Sequence, residues 1–470
     1  MAKLQEDAMD GSQPINPYLS GNFAPVRSED DFELKITGEI PKGLAGAYYR
    51  NGPNPQFEPR GQYHWFGGDG MIHGFFLEDG KARYRNRYVR TNKYVTEHAA
   101  GQALFGTFGN PLETDPSVMG QDSGVANTNI VWHAGKLLAL EEGHMPTELD
   151  PLTLETRGYV QDYRDRTTAH PKLDPETGEM VWFGYSIGQM PFTRTVSYGV
   201  TDAAGKVVRR DDFEAPYSSM IHDFLVTRNH ALFPVLPLTG DLERVMKGGP
   251  AYAWEPEKGA FVGVMRRDAS VDTIRWFQTE PNYVFHPMNA WEEGDLIHAD
   301  VMEYPQAPLF PNADGSRGQN AGARLVRWTF DLAGDSNAIK RTRLDDLDGE
   351  FPRFDERHAG LAYRHGWFAA NTSRSGDVRF NAIAQVDVKT GKRSQYELPG
   401  SDAAGEPVFV PRSAAAPEGD GWVIATIYRG AEDRTDLAVF DAADVTAGPI
   451  GLAHVPRRVP FGFHGNWRGA

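Results

Sequence analysis

The sequence predicts an all-β fold organised as one large domain, and three observations carry that expectation. Gly (50) and Pro (32) are over-represented in a chain of 470 residues, which favours many tight turns over long helices. Short apolar, β-favouring runs joined by turns containing Gly recur along the whole length. No helical stripe extends beyond a few turns, and no Gly/Ser-rich linker divides the chain. Of the all-β solutions, a sandwich pair, a large barrel and a propeller, the propeller best suits a single domain with so many hairpins.

In chain order, residues 1–25 are polar and turn-rich and read as an N-terminal arm. Residues 26–470 read as the propeller domain. Phe75-Phe76-Leu77 runs into Glu78-Asp79-Gly80-Lys81, and Ile130-Val131-Trp132 into His133-Ala134-Gly135-Lys136. Asp174 to Gly178 precedes Met180-Val181-Trp182-Phe183, and Asp202 to Gly205 precedes Val207-Val208. Near the end, Val386-Asp387-Val388 leads into Lys389-Thr390-Gly391-Lys392, and Pro417 to Gly421 into Trp422-Val423-Ile424. Two apolar stretches break the rhythm, Ala103 to Pro111 and Leu232 to Leu238. Each reads either as a loop over a site or as a buried connection.

Composition excludes several function classes. A net charge of −16 repels phosphate backbones, so nucleic acid is not an expected partner. The absence of Cys removes disulfides, thiolate metal sites and Cys nucleophiles. It fits a reducing compartment, and Met1 to Asp10 carries no apolar signal segment, so a cytoplasmic location is expected. No run approaches the ~20 apolar residues of a membrane-spanning helix. No His-Glu-x-x-His helix, Gly-x-Ser-x-Gly elbow, dinucleotide fingerprint or Walker loop is present.

Of 14 histidines, four stand in a shared setting, each in an apolar or small-residue context at the edge of a strand-like run. They are His170 (Thr168-Ala169-His170-Pro171), His222 (Met220-Ile221-His222-Asp223), His286 (Val284-Phe285-His286-Pro287) and His464 (Gly462-Phe463-His464-Gly465). Neutral imidazoles suit divalent transition metals. Blade-like separations would aim several of them at one axis. Taken singly, each reads first as a satisfied core or loop histidine, and the spacing alone does not overturn that reading.

Further blocks carry a family resemblance. Arg50-Asn51-Gly52-Pro53-Asn54-Pro55 and Phe66-Gly67-Gly68-Asp69-Gly70-Met71 resemble the N-terminal signature of the carotenoid cleavage oxygenases. Glu350-Phe351-Pro352-Arg353 and Glu406-Pro407-Val408-Phe409-Val410-Pro411 resemble two later blocks, and the four His contexts resemble that family's metal ligands in order and spacing. The likeness runs from about Gly38 to Trp467. It implies a seven-bladed β-propeller, with Fe(II) on the axis under a cap of loops and short helices. His170, His222, His286 and His464 would be the ligands. Glu142, Glu350 and Glu406 would be the carboxylates behind three of them, orienting the rings and balancing charge. Thr128 would hinder one open coordination position and leave another for O₂.

The implied reaction is cleavage of one C=C bond of a conjugated alkene by O₂, giving two carbonyl products. The implied partners are O₂ and a small apolar substrate, with apolar loops touching a membrane surface as a further expectation. Phe66 matches a pocket aromatic of the family, and Trp65, Phe285 and Phe463 are further aromatic candidates. Stilbene-cleaving members hold the substrate phenol with a Tyr and a Lys; the matching positions here are Phe108 and Glu141. A Phe cannot bond a phenol, and Glu141 would repel a phenolate, although it could accept from a neutral phenol. These two residues favour a carotenoid or apocarotenoid substrate, with a stilbene or phenylpropenoid as the alternative. A retinoid isomerase-like activity and a metal-free binding propeller are the readings of other classes.

Overall fold

The computed structural model describes residues 16–61, 63–106, 108, 113–319, 321–373 and 379–470. Its strands form the seven blades of a β-propeller. Within blades II to VI the chain runs from the innermost strand outward. Blade II comprises Asn129–His133, Lys136–Leu140, Thr147–Leu149 and Thr156–Tyr159; blade III comprises Lys172–Leu173, Met180–Tyr185, Thr195–Thr201 and Val207–Glu214. Blade IV is Leu225–Val226, His230–Val235, Ala260–Arg266 and Arg275–Thr279, with a two-stranded excursion, Leu238–Gly240 and Tyr252–Trp254. Blade V starts with Tyr283–Glu293 and blade VI with Asp348–Phe354.

The ring is closed twice. Blade I takes its innermost strand, Gly465–Gly469, from the C-terminus, where Gly46 pairs with Gly469 and Arg50 with Gly465. Blade VII takes its outer strand, Lys35–Gly38, from the N-terminus, where Lys35 pairs with His454. Residues 16–25 lie against the ring as two short 3₁₀ turns, Pro17–Leu19 and Gly21–Phe23. The Asn22 carbonyl accepts from the Phe461 amide at 2.9 Å. Among the described residues no helix is long and apolar enough to cross a membrane.

The turns follow the sequence reading. Asp79-Gly80 and Ala134-Gly135 both place two consecutive residues in the left-handed region, the conformation that matches the twist of a two-residue hairpin. Strands of the blade interior are buried on both faces; all six residues of Met180–Tyr185 are buried. Large side chains such as Trp182, Phe183, Phe233 and Trp328 fill the space between blades.

The Leu232 to Leu238 stretch is a buried strand and its exit, which corrects the reading of a loop over a site. Pro234 is tolerated because the inner strand of blade IV pairs only with Ala231 and Leu232, so its missing N–H falls where no inner partner exists. In the other stretch, the Leu104 and Phe105 amides donate to buried Glu97 at 2.8 and 3.0 Å. This makes the start of that stretch a pinned connection, while positions 109–111 lie outside the described residues.

The Arg-Asn-Gly-Pro block bolts the closure to the axis. The Asn51 side chain donates to the carbonyls of Ala126 and Asn129, both at 2.8 Å. Its amide donates to the His464 carbonyl at 2.8 Å. Gly52 lies back to back with Gly462, and a Cβ on Gly52 would stand 2.6 Å from the Gly462 Cα. Gly52→Ala should therefore lower stability by about 1–3 kcal/mol through overpacking, read as a lower denaturant midpoint; an unchanged midpoint would show that the bolt yields freely.

Candidate active site

The four histidines reach one point from four blades. His170 and His222 immediately precede the inner strands of blades III and IV, His286 lies on that of blade V, and His464 precedes the strand that closes blade I. Their ligand-capable nitrogens all lie within 4.8 Å of one another. The Nε2 atoms of His170 and His222 are 3.2 Å apart, and those of His222 and His286 3.0 Å. Each ring is at most 9% exposed.

Local backbone features aim these side chains. The pairing register of Tyr283–Glu293 shifts on either side of Pro287, a bulge that turns His286 toward the axis at a residue with no N–H to pair. A second shift separates Glu350 from Arg353. There Phe351 adopts φ 54°, a strained state for an aromatic residue. Its amide donates back to Glu350 Oε2 at 2.5 Å, and its ring stacks on His286 with centroids 5.4 Å apart.

Three glutamates contact the outward ring nitrogens. Glu142 Oε1 bonds His222 Nδ1, Glu350 Oε2 bonds His286 Nδ1 at 2.5 Å, and Glu406 Oε1 bonds His464 Nδ1 at 2.9 Å. His170 has no such partner; Asp223 Oδ2 is 3.9 Å from its Nδ1, and the other oxygen of that carboxylate, Oδ1, pairs with Lys172 at 2.7 Å. Burial disfavours charge on all four rings. It holds His170, His286 and His464 below the ordinary imidazole value, most strongly His170. At His222 burial is outweighed by the Glu142 carboxylate, with Asp223 adding to it, and the ring is raised. Glu406 is depressed to about 2: burial opposes its charge, but Arg353 and His464 and the Gly465 amide more than offset it.

With Nδ1–H directed at a carboxylate, the Nε2 lone pairs of His222, His286 and His464 face the centre. Inward lone pairs at such separations call for a cation among them, and this donor set fits a divalent transition metal. Thr128 stands beside the cluster: its carbonyl accepts from the His464 amide at 3.2 Å, and its hydroxyl donates to Asn127 at 3.0 Å. Phe285 lies edge-on to His222 at 4.9 Å between centroids. Phe463 packs on Trp65 at 4.4 Å and on Phe66 at 5.5 Å. Phe66 and Phe108 are 5.6 Å apart in the same aromatic group.

Glu141 is placed differently from the expectation. Its Oε1 accepts from the amides of Val125 and Ala126 at 2.6 and 3.0 Å and lies 3.2 Å from His144 Nδ1. That geometry makes it a clamp on the turn leading to Thr128, in place of the substrate contact assigned to it. Motif reading also missed Tyr185, whose hydroxyl donates to Glu142 at 2.5 Å. It missed Arg353, 3.2 Å from Glu406, and the Asp223–Lys172 pair. Asp223 and Arg353 directly adjoin residues already singled out, and that adjacency was the available signal.

A seven-bladed propeller with four axial histidines backed by carboxylates is the architecture of an oxygenase that cleaves carbon–carbon double bonds with O₂. The retinal pigment epithelial membrane protein (RPE65) family model matches residues 23–469. The chain is 40% identical to isoeugenol monooxygenase of Pseudomonas nitroreducens over 469 residues, covering 96% of this chain and 98% of that protein. The crystal structure of Pseudomonas brassicacearum lignostilbene dioxygenase superposes with a TM-score of 0.92 at 34% identity, covering 98% of this chain and 100% of that one. A variant of Synechocystis apocarotenoid oxygenase gives 0.86 at 28% identity, covering 95% and 97%. This chain belongs to the carotenoid cleavage oxygenase family.

The turn that carries Thr128 supplies a pH-dependent prediction. His144 lies 2.8 Å from Asp122 and 3.2 Å from Glu141. Burial opposes its charge, but the two carboxylates raise it to about 10. Asp122, although half-buried, is held at about 2 by the same contact and the Gly124 amide. A raised folded-state value stabilises fully below the unfolded imidazole value of ~6.5, and that contribution is lost as pH rises toward 10. The depressed Asp122 contributes above ~3.9 and is lost as pH falls toward 2. The melting-midpoint difference between wild type and His144→Gln should therefore be large near pH 6 and shrink steadily toward pH 10; a difference that does not change with pH would refute the ion pair.

Proposed function

We propose that the chain binds one Fe(II) through His170, His222, His286 and His464 and cleaves the side-chain double bond of a hydroxylated phenylpropenoid or stilbene. The single observation that carries the metal assignment is the convergence of four imidazoles whose ligand-capable nitrogens lie within 4.8 Å of one another. Ferrous iron, when bound, supplies a site that binds and activates O₂. Glu142, Glu350 and Glu406 fix the orientation of three rings and offset the ion's charge, and Arg353 moderates the excess of carboxylates at Glu406. Thr128 restricts access beside His464. The aromatic residues Phe66, Phe285 and Phe463 exclude water and hold a flat conjugated substrate. The reaction balances without an external reductant: one C=C bond breaks, and each product takes one oxygen atom as a carbonyl.

The substrate class departs from the carotenoid expectation. Identity is 40% to an isoeugenol monooxygenase and 38% to a lignostilbene dioxygenase, a few points above the 36% and 35% to two carotenoid cleavage oxygenases. The argument from Glu141 against a phenol also loses force, because His144 and two amides neutralise that carboxylate.

Two experiments test this reading. Alanine at any one of the four histidines should lower iron content and abolish O₂-dependent cleavage, and Glu406→Gln should cost ~10–100-fold in activity or metal affinity. Single variants that keep full iron and turnover would overturn the ligand set. In a side-by-side assay, isoeugenol or a 4-hydroxystilbene should be cleaved faster than an apocarotenal; the opposite order would return the substrate to the polyene class.

A further inference from the structure

We infer that His64 is the residue that selects the substrate's phenolic hydroxyl; this rests on the phenylpropenoid reading above and names a contact within it. His64 caps the short turn Trp65–Gly67, where its Nδ1 accepts from the Phe66 amide at 3.2 Å. An accepting Nδ1 places the ring's proton on Nε2. That Nε2–H is buried and has no hydrogen-bond partner, an arrangement proteins rarely leave uncompensated.

The surroundings of this donor are aromatic. Centroid distances from His64 are 4.6 Å to Phe66, 5.4 Å to Phe108 and 5.9 Å to Phe310. Tyr252 closes the group, stacked on Phe108 at 5.9 Å with an interplanar angle of 8°. Two links tie the cage to the four-histidine cluster. Phe66 packs on Phe463, the neighbour of His464. Tyr252 lies against Tyr185, which bonds Glu142 behind His222. An unpaired neutral donor in an aromatic cage suits a flat arene bearing an acceptor oxygen. Phe108 offers that oxygen nothing, whereas His64, packed against Phe108, offers an N–H.

The chemistry narrows the arene further. The His64 Nε2–H can bond the hydroxyl oxygen but cannot receive its proton. A methoxy group ortho to the hydroxyl can receive that proton internally and leave the oxygen free to accept from Nε2. The cage therefore favours a 3-methoxy-4-hydroxyphenyl ring over a plain 4-hydroxyphenyl ring.

The test uses inert saturated analogues, so that binding is read separately from turnover. Competitive inhibition by 4-propylguaiacol and by 3-propylanisole, the same ring without its 4-oxygen, is measured with the iron-loaded wild type, His64→Phe and His64→Asn. Asn keeps an oxygen for the turn's cap but withdraws the donor, and iron content and melting midpoint report whether each variant is intact. Wild type should bind the phenol about tenfold more tightly than the analogue without the 4-oxygen, the scale of one hydrogen bond. Both variants should lose that preference while retaining iron. If His64→Asn is folded, iron-loaded and still prefers the phenol by the wild-type margin, His64 is not the anchor. If wild type binds neither analogue and cleaves apocarotenals alone, the phenylpropenoid reading itself fails. Should His64→Phe not fold, His64→Asn decides.

Discussion

Four buried imidazoles with their inward nitrogens within 4.8 Å of one another form the constraint on which the rest of the structure depends. Such a group cannot be left alone in an apolar interior. The inward lone pairs repel, and each outward N–H needs an acceptor. Three glutamates meet the second need for His222, His286 and His464, but a buried carboxylate has needs of its own. Glu142 takes the Tyr185 hydroxyl, Glu350 the Phe351 amide, and Glu406 the Gly465 amide and Arg353. The requirement thus travels two layers outward before it reaches groups of ordinary character.

A propeller is well suited to that demand, because its innermost strands converge on one axis from independent blades. Convergence alone gives direction only to within a strand's pleat, and the remaining adjustment is made by irregular backbone. Phe351 and Ala126 hold positive φ angles beside Glu350 and Thr128, and a bulge flanks His286. Strain of this kind persists only where the surroundings over-determine it. Here the over-determination comes from a ring closed at two blades and from Asn51, which binds the 126–129 segment and the His464 loop to the same strand.

The parts of this arrangement that were legible in the sequence are those in which residue type is dictated by chemistry. Histidines, their glutamates and hairpin glycines cannot be replaced without changing what they do, so their blocks stand out. The blade count came through resemblance, since the hairpin spacing is too irregular to count. Leu232 to Leu238 was ambiguous because two prolines suggest a loop, and only the short inner partner strand explains why Pro234 is tolerated. Tyr185 and the contact between Asp223 and Lys172 form no motif of their own, for another reason. Their roles depend on which strand ends meet in space, and hydroxyls or charges beside apolar runs are common throughout this chain.

Glu141 shows where motif transfer from one position to the same position breaks down. Its neighbour Glu142 takes the ring-orienting position, while Glu141 itself points along the turn and ties down two amides and His144. An acidic residue there reads as a repulsive wall only if its charge is free, and Glu141 Oε1 is engaged by two amides with His144 alongside. The same reasoning applies to Phe108. A missing hydroxyl removes a contact only if no neighbour supplies one, and the aromatic group around Phe108 contains both His64 and Tyr252. Selectivity in this pocket is therefore a property of the cage as a whole: which polar tips reach it, which of them are already satisfied, and which are left for the substrate.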